Sequence, residues 1–123
     1  MWHVIYYETA AGKCPVMEFI ESRSERNQAK ILALISLLQE KGPNLPRPYA
    51  DLLEDGIHEL RCKLSGEQIR ILYFFCFGDF IVLTIAFKKT SARVPRAHLN
   101  VAQKHREDFF KRVDEKKLQE LLT

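Results

Sequence analysis

Residues 57–89 constrain the fold most, because three β-type segments follow one another there with almost no chain between them. The two connections, residues 65–67 and 78–79, are short and contain Gly66 and Gly78. Short loops with glycine between segments rich in β-branched and aromatic residues are typical of β-hairpins. The pattern therefore predicts three consecutive strands that pair antiparallel.

Basic side chains interrupt this otherwise apolar block. The first segment alternates apolar with charged residues, which predicts one buried face and one open face. Arg61 and Lys63 lie on the open face, and Arg70 in the next segment reaches the same region if the hairpin register allows. Cations in a sheet need solvent, an acidic partner or an anionic ligand. An ion pair of Arg61 with Glu59 or Glu67 and a groove that binds phosphate both stay open.

The rest of the chain adds one strand and three helices. Residues 2–8 alternate bulky β-formers and predict a first strand. Pro15 suits the first turn of a helix, and the S-x-x-E pattern of residues 22–25 predicts the capping box of a second helix that ends at Gly42. Two helices so placed form a hairpin against the sheet. Residues 51–55 are predicted to form a helical turn.

The predicted element order is β-α-α-β-β-β-α, with the last helix starting near Pro95. This order predicts an α+β domain, an antiparallel curved sheet with helices packed on one face. Residues 1–123 are interpreted as a single domain. Residues 114–123 are interpreted as a C-terminal extension, either more helix or a tail that docks on a partner.

Composition indicates a globular protein of the cytoplasm. Hydrophobic residues make up 46% of the chain, and neither a signal peptide nor a membrane-spanning segment is recognisable. The three cysteines form no C-x-x-C pair, which favours reduced thiols. No nucleotide-binding glycine motif occurs. His98 and His105 are seven residues apart without carboxylates or cysteines at ligand spacing, so neither a metal nor another cofactor is expected.

Charge is distributed unevenly along the chain. The net charge is only +3, yet residues 88–112 contain eight Lys or Arg residues and two acidic ones. A basic segment on a near-neutral body indicates a polyanion or an acidic protein partner, and a solvated helix face is the alternative.

The strand cations could line a groove for a phosphodiester backbone, with Lys88, Lys89 and Arg93 at the end of the third segment. RNA cleavage in such a groove would require few groups besides these cations. The 2′-OH attacks the adjacent phosphate, and fixed cations stabilise the charge that grows on the phosphoryl oxygens. A Lys, Tyr, His or Glu side chain would have to move the protons.

Several short motifs in order resemble the RelE/ParE superfamily of toxins from bacterial type II toxin–antitoxin systems, and within it the HigB-like, phage-derived branch. The resemblance covers residues 2–113. Its pieces are W-x-V-x-Y at residues 2–6, P-V-x-E-F-I at 15–20, a Leu-rich second helix ending in glycine, H-E-L-R at 58–61, I-R-I-L-Y-F at 69–74, F-K-K-T at 87–90, and A-x-x-x-R at 102–106 after a proline.

The resemblance implies a toxin that blocks translation, in many members as an endoribonuclease that cuts mRNA on the ribosome without metal or cofactor. It implies inhibition by an antitoxin, often one with a helix-turn-helix domain. Carried over by position, Arg61, Arg70 and Lys89 match the catalytic cations. The predicted RNA-binding residues are Lys63, Lys88, Thr90 and Arg93.

The chain departs from that pattern at Ile85, where relatives often carry histidine, and at Thr90, where a second lysine is common. Lys88, immediately before Lys89, is the expected substitute for that second lysine. Two alternatives therefore stay open. One is a ParE-type inhibitor of DNA gyrase, and the other is a catalytically degenerate relative that acts as a binding module.

Overall fold

A computed structural model describes residues 1–122, and in this part of the chain it shows a five-stranded sheet and four α-helices. The strands are β1 His3–Tyr6, β2 Ala50–Glu54, β3 Ile57–Leu64, β4 Glu67–Cys76 and β5 Phe80–Lys88. The helices are α1 Pro15–Glu21, α2 Glu25–Lys41, α3 Arg96–Arg112 and α4 Glu115–Leu122, with a short 3-10 helix, Gly42–Asn44, after α2. The α+β class and the three predicted strands of residues 57–89 are confirmed.

The sheet is mixed, with strand order β1-β5-β4-β3-β2. Strands β2 to β5 pair antiparallel as a meander, whereas β1 runs parallel to β5 with Val4 opposite Ile81. The prediction of a purely antiparallel sheet was wrong for β1. Helices α1 and α2 carry the chain from β1 at one edge of the sheet to β2 at the other, and tight turns cannot impose a direction over that distance.

Residues 51–55 do not form the predicted helical turn. They belong to β2, which pairs with β3 across a tight turn at Asp55 and Gly56, both with positive φ angles of 51° and 74°. An Asp-Gly pair supports this kind of two-residue hairpin, because both central residues must adopt left-handed conformations. The added strand makes the observed order β-α-α-β-β-β-β-α-α.

The helices pack on both faces of the sheet, which corrects the prediction of one covered face. On the first face, here called the α1–α2 face, Val16 of α1 and Ile31 of α2 pack against alternate strand residues. On the second, the α3 face, Leu99 and Phe109 of α3 and Leu118 of α4 do the same. Both faces need cover because β4 and β5 are apolar on both sides.

Two helix boundaries refine the sequence predictions. Helix α2 is capped by Ser24, whose Oγ accepts from the backbone N–H of Asn27 at 3.2 Å, so Ser22 is not the capping residue. Residues 114–122 are not a loose tail, because α4 packs through Leu118; Thr123 lies outside the described residues. Among residues 1–122, no helix combines the length and apolar character that a bilayer crossing requires.

Candidate functional site

Strand register brings the key arginines into one row on the α3 face. Arg61 of β3 is directly opposite Arg70 of β4, and Arg70 is directly opposite Phe87 of β5. Residues opposite one another in a sheet project to the same side. The expectation that Arg70 joins Arg61 is therefore confirmed.

A cleft opens over this row beside the first turn of α3, where the helix does not cover the sheet. Its volume is about 500 Å³, and its floor and walls include Glu59, Arg61, Arg70, Phe87, Lys89 and His98. We call it the arginine cleft. The loop between β5 and α3 closes one side, and Thr90 and Arg93 border the cleft from that loop.

Glu59 forms ion pairs with both arginines of the row. The residue is only 4% exposed, and its Oε1 accepts from Arg61 Nε at 2.8 Å. Its Oε2 lies 3.5 Å from Arg70 Nε, and Arg61 Nη2 also donates to Asp51 Oδ2 at 3.1 Å. The ion pair between Arg61 and Glu59, one of the two interpretations left open by the sequence, is thus present. It fixes the guanidinium groups at the cleft.

Arg70 has more hydrogen-bonding capacity than the protein uses. The residue is 8% exposed, and burial lowers its pKa against the opposing effect of Glu59. A guanidinium carries five N–H donors. Within residues 1–122, Arg70 makes one hydrogen bond through its side chain, from Nη1 to the Ile69 carbonyl at 3.3 Å. A cation with unused donors in a shielded place is suited to an anionic ligand.

The predicted lysines lie next to the row of arginines, at the border of the cleft or of the groove beside it. Lys63 pairs in register with Gln68, and the Lys89 backbone N–H donates to the Gln68 carbonyl at 2.8 Å. A shallow groove of about 620 Å³ adjoins the arginine cleft there and is bordered by Lys63, Lys88, Lys89 and Thr90. Cations therefore continue from the cleft along the end of the sheet.

Lys88 differs from the other predicted RNA-binding residues. It borders the cleft, yet it is in register with Ile69, which belongs to the α1–α2 face. Burial alone would raise the pKa of Glu67, but hydrogen bonds from Asn27 and Arg23, with the charges of Arg23 and Lys88, lower it. Lys88 thus contributes to the field around Glu67 as well as to the border of the cleft.

The place of His98 at the cleft was not predicted from the sequence, where this residue was considered only as a metal ligand. It lies in the first turn of α3, and its ring stacks on Phe87 with centroids 4.0 Å apart and planes inclined by 13°. Neither ring nitrogen has a hydrogen bond to residues 1–122. No local signal marks this role, because it depends on where α3 lands on β5.

Ile85, at the position where relatives often carry histidine, is a buried apolar side chain. It is opposite Leu72 and packs in the core of the α3 face. His105 is also separate from His98. It stacks on Tyr7 at 4.3 Å, its Nδ1 lies 3.2 Å from the Thr84 carbonyl, and burial lowers its pKa. The two histidines of α3 therefore serve different surroundings.

The arginines of α3 are engaged by neighbouring acids. Arg96 pairs with Glu54 and Arg106 pairs with Asp55, which ties the helix to the β2–β3 turn. Further along, Arg112 pairs with an acid on its own helix, one turn earlier. For these three arginines the contacts favour the alternative of a solvated helix face, and they add ion pairs that the sequence did not predict. The cations that border the arginine cleft lie instead on the strands and the β5–α3 loop.

A comparison with known protein families gives a match that spans most of the chain. Residues 18–107, well over half of the chain, match the family model described as Phage derived protein Gp49-like (DUF891). The matched segment includes Glu59, Arg61, Arg70, Phe87 and His98. No curated protein shows significant similarity to the chain.

Proposed function

The chain belongs to the Gp49-like family of phage-derived proteins, part of the RelE/ParE-like toxin superfamily, and from this premise we propose that it is the toxin of a type II toxin–antitoxin system. The proposed activity is that of a HigB-like, ribosome-dependent endoribonuclease that cuts mRNA and so inhibits translation. The proposed place of action is the cytoplasm.

The observation that carries this proposal is the row of Arg61 and Arg70 on the floor of a cleft. The two guanidinium groups are fixed by Glu59 before any ligand arrives. Fixed cations stabilise the charge that develops on a phosphoryl group without a reorganisation cost during the reaction. The adjoining lysines provide the backbone contacts that dominate nucleic-acid affinity.

The proposed roles follow the positions of the side chains. Arg61, Arg70 and Lys89 contact the scissile phosphate. Residues at the border of the cleft and the adjoining groove, Lys63, Lys88, Thr90 and Arg93, contact the RNA backbone on either side. Backbone contacts carry little sequence information, so selection of the cut site falls to the ribosome and to contacts with bases.

The proposed partners are mRNA, the ribosome and an antitoxin protein, expected to be of the helix-turn-helix type. A neighbouring open reading frame that encodes such a protein would support the pairing. Co-expression of that protein would then relieve the growth arrest that the toxin causes.

Induced expression in a bacterium tests the proposal. Wild-type protein is expected to stop incorporation of labelled amino acids within minutes and to fragment mRNA, whereas Arg70→Gln is expected to do neither. A DNA-damage response that precedes any loss of translation would contradict the proposal in favour of gyrase inhibition. Normal growth and translation with accumulated wild-type protein would contradict it in favour of a binding module.

A further inference from the structure

We propose that His105 is a positioning residue of the arginine cleft. It stabilises a β-bulge at Thr84, and this bulge directs Phe87 and Lys89 to the cleft. The inference rests on the arginine cleft as the site of the proposed function. It deepens that function by naming the contact that decides which β5 side chains the cleft receives.

The register between β4 and β5 shifts by one residue at Thr84. Leu72 of β4 is opposite Ile85. The next residue of β4, Tyr73, is opposite Leu83. Thr84 is thus the extra residue of a β-bulge in the described ladder. Because side chains alternate along a strand, one extra residue exchanges the faces of all the residues that follow it.

The packing of β5 shows this exchange of faces. Before the bulge, Phe80 and Val82 pack on the α3 face. After the bulge, Ile85 and Phe87 pack there. The residues of β5 that face α3 therefore change from even to odd numbers across Thr84.

The bulge determines what the β5 side of the cleft contains. If the register of the first half of β5 continued, Arg70 would be opposite Ala86, and Lys88 would face α3. With the bulge, Arg70 is opposite Phe87, and Lys89, two residues further along, borders the cleft. One inserted residue thus selects the aromatic ring and the lysine that accompany Arg70.

His105 satisfies the backbone of the bulge from α3. Its Nδ1 lies 3.2 Å from the Thr84 carbonyl oxygen, and because a carbonyl only accepts, Nδ1 carries the proton and donates. The Thr84 hydroxyl donates to the Leu72 carbonyl at 2.8 Å. Thr84 is completely buried, and a buried carbonyl without a donor is costly. The hydrogen bond from His105 therefore stabilises the residue at which the ladder is interrupted.

The His105 ring is held at the bulge by Tyr7. The two rings stack with centroids 4.3 Å apart and planes inclined by 19°. The Tyr7 N–H donates to the Leu83 carbonyl at 2.9 Å, so the stack lies beside the last residue of β5 before the bulge. The Tyr7 hydroxyl also donates to Asp108 Oδ2 at 2.6 Å. Contacts to both β5 and α3 thus fix the ring on which His105 rests.

Two substitutions at His105 separate its hydrogen bond from its stacking. His105→Phe keeps a ring against Tyr7 and removes the donor. His105→Asn removes the ring and supplies an amide N–H in place of Nδ1–H. His3→Phe is the matched control, because His3 also lies beside an aromatic ring but is opposite Phe80, at the far end of β5.

Deletion of Thr84 removes the bulge itself. Leu83 and Ile85 then become neighbours, and alternation keeps residues 85–89 in their present register with β4. His105→Phe should therefore act in the full chain and have no effect in the chain that lacks Thr84. If His105→Phe alone does not fold, the double variant should fold, because no bulged carbonyl is left without a donor.

The register is measured through the backbone by NMR. The Lys89 N–H donates to the Gln68 carbonyl at 2.8 Å, which makes these two residues a hydrogen-bonded pair. Because such pairs alternate with non-bonded ones, Ile71 and Ala86 form a non-bonded pair with close α-protons, which gives a nuclear Overhauser effect (NOE). In the slipped register Ile71 would be opposite Ile85 instead.

The His105→Phe variant is expected to lose this register locally. Hydrogen exchange of the Lys89 amide should become about tenfold faster or more, and the NOE between Ile71 and Ala86 should weaken. Residues 80–83, which precede the bulge, should keep their wild-type exchange rates. A general loss of stability would raise exchange in both halves of β5 and would contradict a positioning role.

The other variants should keep the register. His105→Asn, His3→Phe and the deletion of Thr84 are each expected to stay within about threefold of the wild-type exchange rate. The rate of mRNA cleavage per folded molecule should follow the same order, with His105→Phe slowed about tenfold and His105→Asn close to wild type.

Four outcomes would overturn the assignment. These are wild-type exchange at Lys89 in His105→Phe, equal acceleration by His105→Phe and His105→Asn, an effect of His105→Phe that persists without Thr84, and failure of the Thr84 deletion to fold. A wild-type protein that cuts no RNA would instead overturn the proposed nuclease function. The exchange and NOE measurements need no cleavage, so the two failures are distinguishable.

Discussion

The α1–α2 face and the α3 face of the sheet differ in how completely they are covered. Beneath α1 and α2, Ile69, Ile71 and Tyr73 of β4 are all buried in apolar contacts. On the α3 face, Leu72 and Phe74 are buried, but Arg70, the preceding residue on that side, borders a cleft. One strand thus contributes packing through one set of side chains and charge through the other.

This difference separates the face of the sheet that mainly stabilises the fold from the face that carries the candidate site. Apolar burial is the main source of folding free energy, and the α1–α2 face uses it without interruption. A buried cluster of Arg61, Arg70 and Glu59 is a poor source of stability, because desolvation offsets much of the ionic attraction. Substitutions on the two faces should therefore give different phenotypes.

The largest expected effect is on cleavage, at Arg70. Arg70→Gln removes a fixed cation from the cleft and is expected to lower the rate of mRNA cleavage about 100- to 1,000-fold. Ile71→Val, one residue away on the α1–α2 face, is the matched control. It should lower the free energy of unfolding by about 0.5–1.5 kcal/mol and leave the rate per folded molecule unchanged. Equal rates for wild type and folded Arg70→Gln would contradict the division between faces.

The next effect is on stability, at Gly42. This residue has a φ angle of 56°, and a Cβ there would lie 2.2 Å from Trp2 Nε1. Gly42→Ala is expected to lower the free energy of unfolding by about 1–3 kcal/mol, measured by urea unfolding followed by Trp2 fluorescence.

Gly12→Ala is the control for Gly42→Ala, because Gly12 also has a positive φ but a Cβ at that residue would meet nothing within 4 Å. It should cost less, since only backbone strain remains. Neither substitution should change cleavage per folded molecule. A change in cleavage caused by Gly42→Ala alone would link the α1–α2 face to the site.

A smaller effect is expected on the salt dependence of RNA binding. Lys63→Ala should reduce the slope of log K against log salt by about one, because one phosphate contact is lost. Arg106→Ala should leave the slope unchanged, since Arg106 is paired with Asp55 away from the groove. Filter binding of single-stranded RNA over a range of salt concentrations measures both. A lower slope for Arg106→Ala would place the RNA on α3 rather than on the sheet.

The smallest expected effect is a pH dependence of stability that arises from Asp108 on α3, outside the arginine cleft. Hydrogen bonds from Arg112 and Tyr7 lower the pKa of Asp108 to about 2. Because the folded-state pKa lies below the unfolded value of about 3.9, this stabilisation is present above about pH 4 and is lost as pH falls toward 2. The difference in Tm between wild type and Asp108→Asn should shrink over that range. A difference that stays constant with pH would contradict this.

Sequence patterns predicted the parts of the fold that depend on local chemistry. Alternation in β3 placed Arg61 on an open face, and the short loop at Gly66 allowed the register that brings Arg70 beside it. The parallel partner of β1 could not be predicted, because Val4 meets Ile81 only after the intervening helices are placed. The turn at Asp55 carried a hairpin signal that the helical interpretation overlooked.

The candidate site divides in the same way. Its cations were visible as charges that interrupt apolar strands, and their local partner Glu59 was visible two residues before Arg61. The stacking of His98 on Phe87 could not be predicted, because it depends on how α3 docks on the sheet. The ion pairs that engage Arg96 and Arg106 were equally hidden, since their partners Glu54 and Asp55 are distant in sequence.

The most direct test is to map the RNA ends that the purified protein produces in a reconstituted translation reaction. The arginine cleft predicts cuts that leave a 2′,3′-cyclic phosphate and a 5′-hydroxyl. These cuts should disappear when the nucleotide before the cut is 2′-deoxy and when Arg70→Gln replaces the wild type. Intact mRNA, or fragments that carry 5′-phosphates, would contradict cleavage by this cleft.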